Sequence, residues 1–199
     1  MNKLRLLEGK VGGWWTGVKF HYDGAPSGEP ADRPMRFCEA IKESRTRPIV
    51  LTPDRIDCPG ALRSLGWAGQ DDEAMVSAMA EKAGITPQAA RGLIFGIPSL
   101  RTRPAAVTVG TCEEPDVAVS CAQPEAAMNL LRRWQGRTGK TLLAEVSSVM
   151  AVCGSVAVRA HLSGQVCLSF GCPDSREYGA IGRDRLVAGV PSSLIEELV

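Results

Sequence analysis

The sequence predicts an α/β or α+β fold: a mixed sheet with helices in layers, in one domain over residues 1–199. Three observations predict it. Segments of period-two alternation or short apolar runs take turns along the chain with segments of helical period. Proline, glycine and small polar residues punctuate most of the junctions. The composition is 44% apolar and 23% charged over 199 residues, enough for one substantial core.

The elements follow in order. Val18, Phe20 and Tyr22 alternate with Lys19 and His21, which predicts a half-buried strand over 17–22. Residues 23–33 are rich in Gly, Pro, Ala and Ser and read as a loop. Pro34 is placed to open a helix reaching about Ser44, with Phe37 and Ile41 on one face. A short strand over 48–51 and a turn at Thr52-Pro53-Asp54 come next. A helix then starts near Cys58-Pro59 and ends about Gly66. Residues 71–83 form a helix with an acidic first turn, with Met75 and Met79 four apart and Gly84 as its stop. Thr86-Pro87 caps and opens another helix to about Phe95. Residues 105–109 and 116–120 are strands. Pro124 opens an amphipathic helix with Ala127, Leu130, Leu131 and Trp134 on its apolar face, ended by Gly136 or Gly139. Residues 142–146 are a strand or extended, and 153–161 a helix. Residues 165–170 and 185–190 are strands, and Ser192 or Ser193 caps a last helix over 194–199.

A weak internal pattern runs through the two halves, residues 14–109 and 115–199. Each reads strand, helix, strand, then a cysteine before a helix, and the expected fold is two pseudo-symmetric half-domains. The register that this pattern suggests pairs Cys58 with Cys153. It also pairs the stretch from Leu93 to Leu100 with that from Leu186 to Ser193.

Charge and hydropathy bound the function. A formal net charge of +1 offers no global attraction to nucleic acid or to a membrane surface. No window approaches the roughly 18 apolar residues of a membrane span. The start, with Lys3, Arg5 and Glu8, lacks the apolar run of a secretory signal. The expected location is the cytoplasm, where cysteines are thiols or ligands rather than structural disulfides.

Seven cysteines are present. Four sit at junctions of turns with helices or strands: Cys38 after Arg36-Phe37, Cys58 before Pro59-Gly60, Cys153 before Gly154, and Cys172 between Gly171 and Pro173. A thiolate at a helix start is stabilised by free backbone N–H groups, and a neighbouring glycine lets a cluster approach the backbone. Four such thiolates would suit a soft metal or an iron–sulfur cluster. The spacings are 20, 95 and 19 residues, so no local ligand motif exists and only the fold can assemble the set. Packing is the competing reading, since free cysteine is among the most buried residue types. Cys121 and Cys167, in apolar strands, fit packing best, and Cys112 lies in a loop before Glu113-Glu114.

These residues carry a resemblance. Arg36-Phe37-Cys38, Leu51-Thr52-Pro53, Cys58-Pro59-Gly60-Ala61, Cys153-Gly154 and Gly171-Cys172-Pro173-Asp174, with Gly17-Val18-Lys19-Phe20 and Gly189-Val190-Pro191, are similar to a prokaryotic family of unknown function, domain of unknown function family 169. The likeness runs from about residue 14 to 199. Trp14-Trp15 departs from it, standing where a proline-rich lead-in is expected. The resemblance implies no settled activity. It implies an iron–sulfur cluster of the [4Fe–4S] type held by Cys38, Cys58, Cys153 and Cys172. Four ligating cysteines suit electron transfer or a structural role. Three would leave an iron open to a small-molecule substrate, with Cys172 the dispensable ligand. Arg36 and Arg176 stand near candidate ligands, to neutralise a thiolate cluster or to bind a substrate carboxylate. The expected partner is an electron-transfer protein or a small molecule. The alternatives are a metal-free small-molecule binding or regulatory module and a structural zinc protein.

Other chemistries are poorly served. His21 and His161 are the only histidines, and no Gly-x-Ser-x-Gly elbow exists. Gly136-Arg137-Thr138-Gly139-Lys140-Thr141 has Trp134 where a phosphate-binding loop needs glycine, and reads as a helix-ending turn. Trp14, Trp15 and Trp67 belong to a core or to an interface.

Overall fold

The computed structural model describes residues 2–23, 26, 28–68 and 73–199. Asp71 and Asp72, placed by sequence in a helix, lie outside them. The chain opens with α1 (Lys3–Val11), which the strand and helix patterns did not reveal. Asn2 caps it by accepting from the Leu4 N–H at 2.9 Å, and Leu4, Leu7 and Val11 are its buried face. Then come β1 (Thr16–His21), β2 (Glu29–Pro30), α2 (Phe37–Glu43), β3 (Ile49–Leu51) and a 3₁₀ turn Pro53–Arg55. Next are α3 (Pro59–Ser64), α4 (Glu73–Ala83), α5 (Pro87–Phe95), β4 (Ala106–Gly110), β5 (Val117–Ala122) and α6 (Pro124–Thr138). A π-helical turn Cys153–Val158 leads into α7 (Arg159–Ser163). The chain ends with β6 (Cys167–Ser169), α8 (Pro173–Glu177), β7 (Leu186–Pro191) and α9 (Ser192–Leu198).

Several expectations shift by a turn or less, for local reasons. Pro34 does not open α2. The chain stays extended through Met35, which bridges to Ile56, and Arg36 is the cap residue. Pro87 and Pro124 do occupy first turns, and Gly139 ends α6 in a left-handed conformation. Residues 142–146 are extended without pairing in the sheet.

Among the described residues seven strands form one mixed sheet in the order β2-β3-β4-β1-β5-β7-β6. Only β2 with β3 is parallel, and the other neighbours are antiparallel. Without the edge strand β2, the order reads alike from both ends about the β1–β5 pair. β1 matches β5, β4 matches β7, and β3 matches β6. In each half one cysteine lies in the first turn of the helical element before the short strand, Cys38 in α2 and Cys153 in the π turn. A second cysteine caps a proline-started helix after that strand, Cys58 for α3 and Cys172 for α8. The topology therefore matches Cys58 with Cys172 and Cys38 with Cys153, a different register from the one the sequence suggests. Leu93–Phe95 ends a helix whereas Leu186–Pro191 is a strand, so those two stretches are not counterparts.

Strand alternation feeds two cores. Val18 and Phe20 of β1, Val107 and Val109 of β4 and Val187 of β7 face α2, α3 and the π turn. Ala118, Ala188 and Val190 point the other way, onto α1, α6 and α9. The α4–α5 hairpin has its own small core of Val76, Ala80, Ala90 and Ile94. Among the described residues no helix is long and apolar enough to cross a membrane.

His21 lies on β1 with its Nε2 2.8 Å from the Thr108 hydroxyl. Burial first, then Lys19, lowers its pKa, against a pull from Asp116. The unfolded chain takes up this proton at about 6.5 and the folded chain only at lower pH, so the stabilisation is full above about 6.5 and lost as pH falls through the folded value. Between about pH 7.5 and 5.5 the urea midpoint should fall further for the wild type than for His21→Gln. Equal falls would refute this assignment.

Candidate metal centre

Cys38, Cys58, Cys153 and Cys172 line one cavity of about 340 Å³. It lies on the α2/α3 side of the sheet and is closed by α4, α5 and residues 148–150. Phe37, Met75, Met79, Ile94, Met150 and Val152 make the walls largely apolar. Cys112, Cys121 and Cys167 are not part of it. Cys121 and Cys167 lie in β5 and β6 and pack against the main core.

Each cysteine is placed by its local sequence. Pro59 and Pro173 start α3 and α8 and leave Cys58 and Cys172 extended as the cap residues. The N–H groups of Ala61 and Gly60 point at the Cys58 sulfur, and that of Ser175 at Cys172. Ser175 Oγ accepts from the Cys172 N–H at 2.8 Å and fixes the turn. The Cys38 thiol donates to the Asp174 carbonyl at 3.7 Å, tying α2 to α8. Cys153 is set by the π turn, whose wide winding often marks functional sites. Gly154 is needed there, since a Cβ would stand 2.5 Å from Ile97 Cγ2 and 2.6 Å from Ser64 Oγ. Just before the turn, Met150 holds a φ of 45°, which is rare outside glycine, and its thioether lies 3.6 Å from the Ser64 hydroxyl.

The thiols feel one another. Burial, then Cys172 and Cys58, pushes the Cys38 pKa up to about 12. Burial raises Cys153 well beyond the ordinary thiol range, with further pressure from Cys58, Cys172 and Cys38. Cys58 is raised by burial too, partly offset by the Ala61 and Gly60 N–H groups and by Arg36. With nothing bound, Cys38, Cys58 and Cys153 are therefore neutral at physiological pH. A bound cation reverses this, because a coordinating thiol is deprotonated outright.

A charged cluster stands at the mouth. Arg36 pairs with Asp174 at 2.6 Å, lies over the Tyr178 ring at 4.2 Å, and is within hydrogen-bonding reach of Cys58. Lys82 reaches the other oxygen of the same carboxylate at 3.3 Å. Asp174 thus joins α2, α4 and α8. Arg176 is not at the cavity. Its guanidinium donates to the carbonyls of Phe170, Ile181, Gly182 and Arg185 and holds the loop after α8. The sequence pattern did not single out Asp174, Lys82 or Met150. Asp174 had a signal, its place in Cys172-Pro173-Asp174, whereas Lys82 and Met150 reach the cavity only through tertiary packing.

Among the described residues no three His, Cys, Asp or Glu side chains draw close enough to enclose a single ion. The four sulfurs stand around a space. Thiol donors walled by apolar residues have the chemistry of a soft-metal site.

Gly154→Ala should overpack the π turn and lower stability by about 1–3 kcal/mol, read as a fall in thermal midpoint of about 2–10 °C. Asp174→Asn should cost about 1 kcal/mol, because its pairs are partly solvated, and should speed amide exchange across α4. Unchanged exchange there would show that the carboxylate does not hold the hairpin.

No curated protein and no solved structure matches the chain. A family model described as Uncharacterised ArCR matches residues 16–199. The cysteine-flanked turns, the sheet and the cavity all fall within that span, and the chain belongs to this family, domain of unknown function family 169.

Proposed function

We propose that this protein binds an iron–sulfur cluster, of the [4Fe–4S] type, through Cys38, Cys58, Cys153 and Cys172, in a cytoplasmic redox or small-molecule-converting role. One observation carries the reading: of seven free cysteines, the four at turn junctions line the same cavity. The two halves of the sheet each contribute one pair, spaced 20 residues in the first and 19 in the second. The site is thus built from two half-sites across the β1–β5 seam, which supports reading the chain as two pseudo-symmetric halves in one domain.

When bound, the group supplies one-electron transfer, or Lewis acidity if one iron lacks a thiolate. The chain's own residues do the rest. The N–H groups at Cys58 and Cys172 soften the charge on the ligating sulfurs. Arg36 stands beside Cys58 and offsets thiolate charge. The apolar walls limit water, which tunes the potential of a buried centre. Lys82 and Arg36 at the mouth would meet a small anionic substrate or an acidic patch on a redox partner.

Anaerobic purification or reconstitution tests this. The wild type should be brown, with about four irons per chain and matching acid-labile sulfide. Cys38→Ala, Cys58→Ala and Cys153→Ala should each keep below about a tenth of the visible absorbance, whereas Cys112→Ala, Cys121→Ala and Cys167→Ala should keep it. Cys172→Ala separates four-thiolate from three-thiolate ligation. Circular dichroism checks that each variant is folded. Folded wild-type protein that stays colourless under these conditions would falsify the reading.

A further inference from the structure

A second site lies on the far side of α2 and does not depend on the thiol cavity. Two adjoining cavities, of about 440 and 220 Å³, share Trp14, Arg45 and Arg185 as walls. Arg5 and Glu8 line the larger, and Lys42 lines the smaller. Glu8 is engaged at 2.7 Å by Arg5 and accepts from the Trp15 N–H at 3.4 Å. Lys42, Arg45 and Arg185 make no ion pair among the described residues. Arg185 spends one N–H on the Cys121 carbonyl at 3.2 Å, and Arg45 stands 4.6 Å from the centre of the Trp14 ring.

Excess cationic charge in a concave site beside an indole is a specific combination. Arginine forks bind carboxylate or phosphate oxygens in two-point fashion. Arg45 lies over the indole, and a ligand ring would take that flat apolar face as the guanidinium turns to the anion. The Cys121 thiol senses the same field: burial raises it, while Arg45, Arg185 and Arg176 pull it down. Three guanidinium charges therefore converge on this side of β5. Ala180, on the wall of the smaller cavity, holds a φ of 49°. Its neighbour Gly179 packs against Cys38, and a Cβ there would stand 3.1 Å from Cys38 Cβ. The wall of this site is thus also the back of the thiol cavity.

The geometry points to a binding site for a small aromatic oxyanion, an aryl carboxylate or a nucleotide, with its ring on Trp14 and its anionic group between Arg45 and Arg185. The combined space suits a ligand of that size.

Calorimetric titration of the full chain with benzoate, adenosine monophosphate, inorganic phosphate and neutral benzamide tests it. Benzoate or adenosine monophosphate should bind with a dissociation constant below about 1 mM. Inorganic phosphate and benzamide should bind at least about tenfold more weakly, since each lacks one half of the recognised chemistry. Arg45 is exposed, so Arg45→Ala should lower the ligand-free thermal midpoint by no more than about 4 °C and weaken the better ligand by about tenfold or more. Arg45→Lys should recover part of that loss. Preference for benzoate assigns a carboxylate, and preference for the nucleotide assigns a phosphate. Binding of neither ring ligand, or affinity unchanged in Arg45→Ala, would overturn the assignment.

Discussion

Burial of thiols behind apolar walls governs the cavity side of this molecule. Four sulfurs line a shared space, and burial first keeps Cys38, Cys58 and Cys153 protonated, with the neighbouring sulfurs adding to it at Cys38 and Cys153. The same arrangement becomes favourable once positive charge enters the space, because each sulfur can then ionise. Binding would thus be coupled to proton release.

The scaffold explains how such a space is built without any local motif. A mixed sheet whose antiparallel core reads alike from both ends carries a cysteine before and a cysteine after each of two short strands. Proline forces two of them into cap positions, and the other two start helical elements. The remaining parts wall this cavity. The α4–α5 hairpin brings Met75, Met79 and Lys82 over it, and Asp174 fastens that hairpin to α2 and α8. Arg176 fixes the loop that runs from α8 to the wall shared with the Trp14 groove. Gly179 lines the Trp14 groove and packs against Cys38, so this segment stands between the two concave sites.

Most of the strands and the proline-started helices were legible in the sequence. Period-two runs such as Val18, Phe20 and Tyr22 and the Thr86-Pro87 start are local signals whose outcome depends on neighbouring residues. Helix α1 escaped because its apolar positions Leu4, Leu7 and Val11 sit among charges, and packing against α6 and α9 defines the face. Helix α8 escaped because five residues carry too little periodicity. The half-repeat register was misread for a similar reason. Cys58 and Cys153 both precede small residues, yet equivalence is a property of strand order, and strand order places Cys58 opposite Cys172.

By itself the sequence determined the layered class of the fold, the family and which four cysteines stand at turn junctions, because these follow from composition, periodicity and the chemistry of proline and glycine. Only the tertiary structure decided that those four sulfurs share a cavity, that Arg36 reaches Cys58 and Asp174 at its edge while Arg176 is tied to the loop after α8, and that Trp14, Arg45 and Arg185 form a second concave surface. Residues 38, 58, 153 and 172 are far apart along the chain, and no local rule relates them. Their meeting is set by the pairing of strands across the sheet, a contact between distant segments that exists only once the core has closed.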